Sequence, residues 1–492
     1  MSAYTLLFSS IVSRHGIRAP YSPLNITECN EYGKYSDRTD FPTFSDWGMS
    51  RETYCSQELT EHGKVAVPRM GEYYASLFDS TDNFELECDK LAVFADDSTR
   101  DIQTAKLLLE GMDCASVSVT VANESTPNMM PVLSDHYNEL NCPLATEEQV
   151  AGLYGGDVDA LTDAYSAGID QLTDVIGMNE FNATICNDVY PNYDADGYTH
   201  CTLFETGYEW TGTYYQGDFL SPIAYAGYFA EYFMFQYLSN LTPYAFGSLT
   251  GDEIAELYAI HVQNMYYGSN IWNARAYGSQ QLGYLLASME SFMAGTPVDG
   301  VDQPADTTVL LLVSHDFNNF YLQRLLGFDY FSLGFPQNVA TTTGSLRFDL
   351  WSDDSGDKYV TVTYTAATPD QQRDATDLTQ EAPGIAQVVI PGCGDFYCPY
   401  ETFKDLVLQA IDLNCVEEPL YSTLSSLSAS DDKGGDNNNN DDGHPYEDPF
   451  IAVTVLLVLV SLISIYYIFI KKKEVLVEHM TSSTSNSVTA WA

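Results

Sequence analysis

The sequence predicts an α/β protein: a three-layer α/β/α body around a mostly parallel central sheet, with a mostly helical insertion and a single C-terminal transmembrane helix. Three observations predict it. Apolar segments of strand length recur at residues 4–12, 89–97 and 308–316. Amphipathic segments with helical spacing alternate with them, and strands alternating with helices form sheets covered on both faces. A charge-free apolar run at residues 450–470, FIAVTVLLVLVSLISIYYIFI, has the length of about 20 residues that crosses a bilayer.

In chain order, Tyr4 to Val12 is the first strand. A helix starts near Thr60 in LTEHGKVAVPRMGEYYASLF, with Pro68 expected to bend it. DKLAVFADD (89–97) is the second strand. RDIQTAKLLLEGM follows as a helix, because Ile102, Ala105, Leu109 and Met112 recur every three or four residues. In TVLLLVSHD (308–316) the apolar run Val309 to Val313 is unbroken, as in a strand buried on both faces of a parallel sheet. These elements place the α/β domain over residues 1–144 and 301–420. Residues 145–300 are rich in Tyr, Phe and Gly and hold helical stretches such as SPIAYAGYFAEYFMFQYL, so they read as a helical cap inserted into it. From 421 to 449 the composition shifts to Ser, Asp, Asn and Gly; such a segment buries no core and reads as a disordered acidic stalk. The span at 450–470 comes next, then a tail of residues 471–492.

Lys471 to Lys473 directly follow the apolar run, and basic residues beside a span mark the cytoplasmic side. The expectation is a single-pass type I membrane protein whose bulk is extracellular or lies in the lumen of a lysosome or vacuole. Four segments of N-glycosylation form, at Asn25, Asn123, Asn182 and Asn240, fall on that side. So do all 10 cysteines, an even number suited to an oxidising compartment. Residues 1–12 offer neither a basic region nor room for a cleavage site, so a signal peptide is expected to be missing from this sequence.

The chain carries 20 Lys and Arg against 69 Asp and Glu, a net charge of −49. That excludes nucleic acid as a partner, because such binding rests on Lys and Arg neutralising phosphates. Carboxylates have reference values near about 4, so the self-repulsion of this chain fades toward acidic pH, and work below neutrality suits it.

Against this background the stretch SRHGIRAP (13–20) is unusually basic. Ligands of α/β sheets bind beyond the carboxyl ends of the strands. Three clusters fall there: Arg14, His15 and Arg18 after the first strand, Arg100 after the second, and His315-Asp316 at the end of the third. Guanidinium forks match phosphate oxygens and stabilise charge on a phosphoryl group in transit. A neutral imidazole among them can attack phosphorus, and positive neighbours keep it unprotonated. Asp316 is the carboxyl available to protonate a leaving oxygen. Taken singly, each of these residues is as well explained by a surface or salt-bridge role. Together at three strand ends they point to a phosphate site, with His15 and His315 both open as the nucleophile.

The same residues resemble the histidine acid phosphatase family, within the histidine phosphatase superfamily. RHGIRAP resembles its RHGxRxP signature, VSHDFN its second signature, and STRDIQTAKLLLEGM the segment carrying its third phosphate-binding arginine. LTEHG, NCPLA and GCGDFYCPYETFKDLV resemble further family segments, so the likeness spans residues 4 to about 415 in order. The resemblance implies that His15 is the nucleophile, that Arg14, Arg18, Arg100 and His315 bind phosphate, and that Asp316 is the proton donor. It also implies disulfides Cys393–Cys398 and Cys142–Cys415. For the other six cysteines, sequence neighbourhood pairs 29 with 55, 88 with 114 and 186 with 201. Phe317 departs from the family, which favours small or β-branched residues after the HD pair.

No P-loop, HExxH or GxSxG motif is present, and NYDADG (192–197) fails as a calcium loop because Leu203 stands where its bidentate Glu belongs. No metal or cofactor is expected, since arginines carry the phosphate charge. The sequence therefore points to an acid phosphatase acting on small phosphomonoesters, anchored in a membrane. The rival readings are an inactive receptor or adhesion ectodomain on the same fold, and a narrower phytase-like or phospho-sugar phosphatase. Nothing selects a monomer over a homodimer.

Overall fold

The computed structural model describes residues 4–20, 38–122, 142–157, 159–178, 202–206, 209–210 and 219–431. The expected span at 450–470, the tail, the calcium-loop decoy, and Asn25, Asn123 and Asn182 lie outside them. Among the described residues no helix is long and apolar enough to cross a membrane. Residues 1–432 form one compact unit.

The three expected strands form as β1 (Thr5–Arg14), β2 (Leu91–Ala95) and β6 (Val309–Ser314). The first part of the chain adds α1 (Arg51–Cys55), α2 (Glu61–Asp79), α3 (Thr99–Gly111) and the short β3 (Val119–Val121). Thr60 caps α2, its hydroxyl accepting from Gly63 N at 2.9 Å, and the helix runs on through Pro68. The middle of the chain holds α4 (Glu147–Leu153), α5 (Ala160–Ala164), α6 (Ser166–Val175), the hairpin β4 (Glu209–Trp210) and β5 (Phe219–Leu220), α7 (Pro222–Leu238), α8 (Gly251–Gly268) and α9 (Ile271–Ala294). After β6 come α10 (Asp316–Leu326), β7 (Ser345–Ser352), β8 (Lys358–Ala366), α11 (Pro369–Asp374), β9 (Gly384–Val388), β10 (Cys398–Pro399), α12 (Tyr400–Ala410) and α13 (Leu420–Asp431).

The sheet runs in the order β10-β8-β7-β1-β6-β2-β3, with β9 also on β8. It is mixed, which corrects the expectation of a mostly parallel sheet. β1, β6, β2 and β3 are parallel, whereas β7, β8, β9 and β10 pair antiparallel. The direction changes where β7 pairs with β1, and the short turn around Gly356 that joins β7 to β8 returns the chain antiparallel again.

Every residue of β6 is buried. Leu310 and Leu312 enter one core, and Val309, Leu311 and Val313 enter the other, where α2 and α3 pack. Helices thus cover both faces, as the unbroken apolar run requires. The first core is continuous with the middle helices, and α9 packs against α10, α12 and α13, so it belongs to the sheet's helical layer as much as to the insertion.

The first residues of the expected stalk are helical. Residues 420–431 form α13, because Leu420 and Leu424 share a face and are fully buried, the latter filling the space over Gly283 in α9. Residues 432–449 lie outside the described residues. Disulfides join Cys88–Cys114, Cys142–Cys415 and Cys393–Cys398, as expected. Cys55 is disulfide-bonded, but Cys29, Cys186 and Cys201 lie outside the described residues.

Candidate active site

The register of the parallel strands levels their carboxyl ends. Arg14 stands opposite Ser314 on β6, and Val313 opposite Ala95 on β2. The residues that follow each strand therefore emerge side by side, and all six sequence-predicted site residues gather there. His15 N donates to Ser314 O at 2.8 Å, which ties the first signature to the second. A Cβ on Gly16 would strike Val67 of α2, so only glycine lets the chain turn this close to the helix.

His15 is buried, and its Nδ1 lies 2.8 Å from the carbonyl of Gly16. A carbonyl only accepts, so Nδ1 carries the proton and Nε2 keeps its lone pair. Burial, reinforced by Arg100, Arg14, Arg18 and His315, holds its pKa well below the usual histidine value. The ring therefore remains neutral in mildly acidic solution. The His315 ring lies 5.6 Å away, centroid to centroid.

The arginines are positioned by opposite charges. Arg14 Nη2 lies 2.9 Å from both Glu231 Oε1 and Asp316 Oδ2, and Nη1 donates to Ala340 O at 2.9 Å. Its Nε has no partner among the described residues. Arg18 Nη2 donates to Glu231 Oε2 at 3.0 Å. Both guanidinium groups also face the ring of Phe235, at 5.8 and 4.9 Å. Arg100, in the first turn of α3, donates from Nη2 to His315 Nδ1 at 3.4 Å, while His315 Nε2 donates to Asp96 Oδ2 at 2.7 Å. The large Phe317 packs its ring 5.3 Å from that of His315.

Asp316 opens α10. Burial alone would raise its pKa, but Arg14 and then His261 outweigh burial and hold the carboxyl well below the usual range. Glu231 behaves alike: burial opposes ionisation, and Arg18, His261 and Arg14 overcome it.

Sequence reasoning missed Glu231, His261, Asp96 and Tyr258. Glu231 is the lone charged residue of α7, a helix otherwise apolar or neutral, and that isolation was a usable signal. Asp96 follows β2 directly, where the strand-end rule applies. His261 Nε2 lies 3.5 Å from Glu231, and its ring stacks on Tyr258 at 5.2 Å. No sequence pattern marks it.

Two acidic groupings have metal-like spacing, Asp96-Asp101-His315 and Glu231-His261-Asp316. In both a guanidinium lies against the group: Arg100 beside His315 and Asp101, and Arg14 between Glu231 and Asp316. The donor sets are therefore countercharges of arginines and do not fit a cation.

The sequence profile of the histidine phosphatase superfamily (branch 2) matches residues 5–365. No curated relative matches the chain in sequence. Among solved structures, the phytase of Hafnia alvei in complex with tartrate is 21% identical, with a TM-score of 0.65, covering 84% of this chain and 99% of that one. The Citrobacter braakii phytase is 20% identical, with a TM-score of 0.66, covering 84% and 99%. The Klebsiella sp. ASR1 phytase is 20% identical, with a TM-score of 0.63, covering 85% and 99%. At these identities the likeness is one of fold.

Proposed function

Because the chain belongs to the histidine phosphatase superfamily, branch 2, and is thereby a phosphoric monoester hydrolase, we propose that it is an acid phosphatase working through a phosphohistidine on His15. The observation that carries this reading is the bare, neutral Nε2 of His15 among three arginines.

The geometry is compatible with the following steps. Arg14, Arg18, Arg100 and His315 take the phosphate oxygens. His15 Nε2 forms a bond to phosphorus as the ester P–O bond breaks. Asp316 gives its proton to the departing oxygen. In the empty site Arg14 keeps Asp316 ionised. A bound phosphate shares the charge of Arg14, so the carboxyl regains a proton more readily, and an acidic medium supplies it. In the second half a water attacks phosphorus, Asp316 takes the water's proton, and the N–P bond breaks to restore neutral His15.

Small phosphomonoesters fit this reading better than a polyphosphorylated substrate. The chain carries a net charge of −49, Arg14 and Arg18 are already matched by Glu231 and Asp316, and His315 is held by Asp96. The phytase-like alternative rests on fold likeness. The membrane anchor, the luminal or extracellular location, and glycosylation remain part of the proposal; Asn240 is exposed in the turn after α7.

The test is to trap the intermediate. The full chain mixed with 32P-labelled p-nitrophenyl phosphate at pH 5 and quenched in base is expected to retain label on His15. His15→Ala is expected to retain none and to lose turnover by about 10⁴- to 10⁶-fold. Turnover by the wild type with no label on any residue would sink the covalent route, and no turnover on any phosphomonoester would favour the inactive-receptor reading.

A further inference from the structure

Asp101 plays no part in the steps above, yet it sits directly behind them. It lies in the first turn of α3, next to Arg100, and is fully buried. Neither carboxyl oxygen has a hydrogen-bond partner among the described residues. Its Oδ2 lies 3.9 Å from Arg100 Nε and 3.8 Å from His315 Nδ1, too far for a bond but well within electrostatic reach. A buried carboxylate without donors is costly, and a carboxyl beside two phosphate-binding groups acts on both of them.

We propose that Asp101 is a positioning residue of the phosphate site: protonated, it leaves Arg100 and His315 free to face the anion; ionised, it competes for them and weakens binding. This inference rests on reading the site as a phosphate site. It makes one buried carboxyl set the upper pH limit of anion binding, separately from Asp316.

The charged groups that act most on Asp101 come from four places. His315 comes from the end of β6, Asp96 from the end of β2, Arg100 from its own helix, and Arg18 from the turn after β1. Burial is the largest influence and pushes its pKa up to about 7; His315, Arg100 and Arg18 oppose that shift, and Asp96 adds to it. The charge change thus falls between acidic and neutral conditions. A bound dianion would favour the protonated form of Asp101, and by reciprocity the protonated form favours the dianion.

Linkage gives the sign for stability. The carboxyl holds its proton more tightly in the folded chain than in the unfolded one, where its value is 3.8. Between 3.8 and about 7, stability therefore falls as pH rises.

The experiment uses the full chain and inorganic sulfate, a tetrahedral dianion that does not titrate between pH 5 and 8. Calorimetry in buffers of differing ionisation enthalpy reads affinity and proton uptake together. Wild type is expected to take up a proton on binding sulfate near pH 7 and to lose affinity from pH 5 to 8. Asp101→Asn is expected to match it at pH 5, to bind about fivefold tighter at pH 8, the effect there of a coupling of one pK unit, and to take up less proton. Asp101→Leu, of similar size, carries the same expectation. Proton uptake in wild type is read without any variant, so its absence overturns the proposal even if both variants fail to fold. Parallel loss of affinity in wild type and variant also overturns it. A wild type that binds neither sulfate nor phosphate is a different failure, that of the phosphate site itself.

Discussion

The site is built from two regions with opposite character. The carboxyl ends of the central strands supply its cations: Arg14 ends β1, and His15, Arg18, Arg100, His315 and Asp316 follow β1, β2 and β6, whose ends are level. The helical region supplies countercharge and packing: Glu231 on α7, His261 and Tyr258 on α8, and Phe235 one turn beyond Glu231. The sheet side is short-range and ordered by register. The helical side reaches the same point from more than 200 residues away in sequence, through a single carboxylate that grips both Arg14 and Arg18. The difference teaches that an anion site on an acidic protein needs its cations restrained as well as supplied. Unrestrained guanidinium groups would find other carboxylates among the 69 acidic residues.

Three substitutions sharpen or break this division. The largest effect is expected on the sheet side. Asp316→Ala should slow hydrolysis of an alkyl phosphate by about 10²- to 10⁴-fold, the usual worth of a general acid or base. p-Nitrophenyl phosphate, whose leaving group needs little protonation, should be slowed far less in its first half-reaction. Equal losses on both in burst-phase kinetics would remove Asp316 from the acid role.

An intermediate effect is expected from Glu231→Gln. Removing one member of a buried ion network destabilises by about 3–5 kcal/mol, visible as a lowered Tm. With the restraint gone, Arg14 and Arg18 carry more uncompensated charge, so inorganic phosphate should inhibit more strongly while kcat falls. Weaker phosphate inhibition would show that Glu231 does not oppose the anion, and the contrast between the two regions would lose its basis. His261→Gln should give the smallest effect, roughly threefold to tenfold on kcat, since its nearest carboxylate is 3.5 Å away. Its loss should shift the alkaline limb of the pH profile toward higher pH, because Asp316, which must carry a proton to act, loses one of the groups that keep it ionised. An unchanged limb would confine His261 to packing against Tyr258.

What the sequence showed and what it hid follows the same division. β6 was legible because five apolar residues in a row have no other use than a doubly covered strand, and α2 was legible from Thr60, whose hydroxyl caps it. The antiparallel half of the sheet was not legible, since pairing direction depends on how the chain returns after β7. The helix at 420–431 was hidden in a Ser-rich segment because two leucines, not composition, hold it down.

By itself, then, the sequence determined the class of chemistry. Arginine and histidine at three strand ends, in a chain poor in positive charge, carry that information locally, because each side chain lies at its strand's end or within five residues of it. Only the tertiary structure decided which groups restrain them. Glu231, His261, Asp96 and Asp101 act across packed helices and neighbouring strands, at distances of 2.7 to 3.9 Å that no spacing in the chain encodes. Electrostatic coupling follows separation in space, and for these residues that separation is set by how α3, α7 and α8 pack against the sheet.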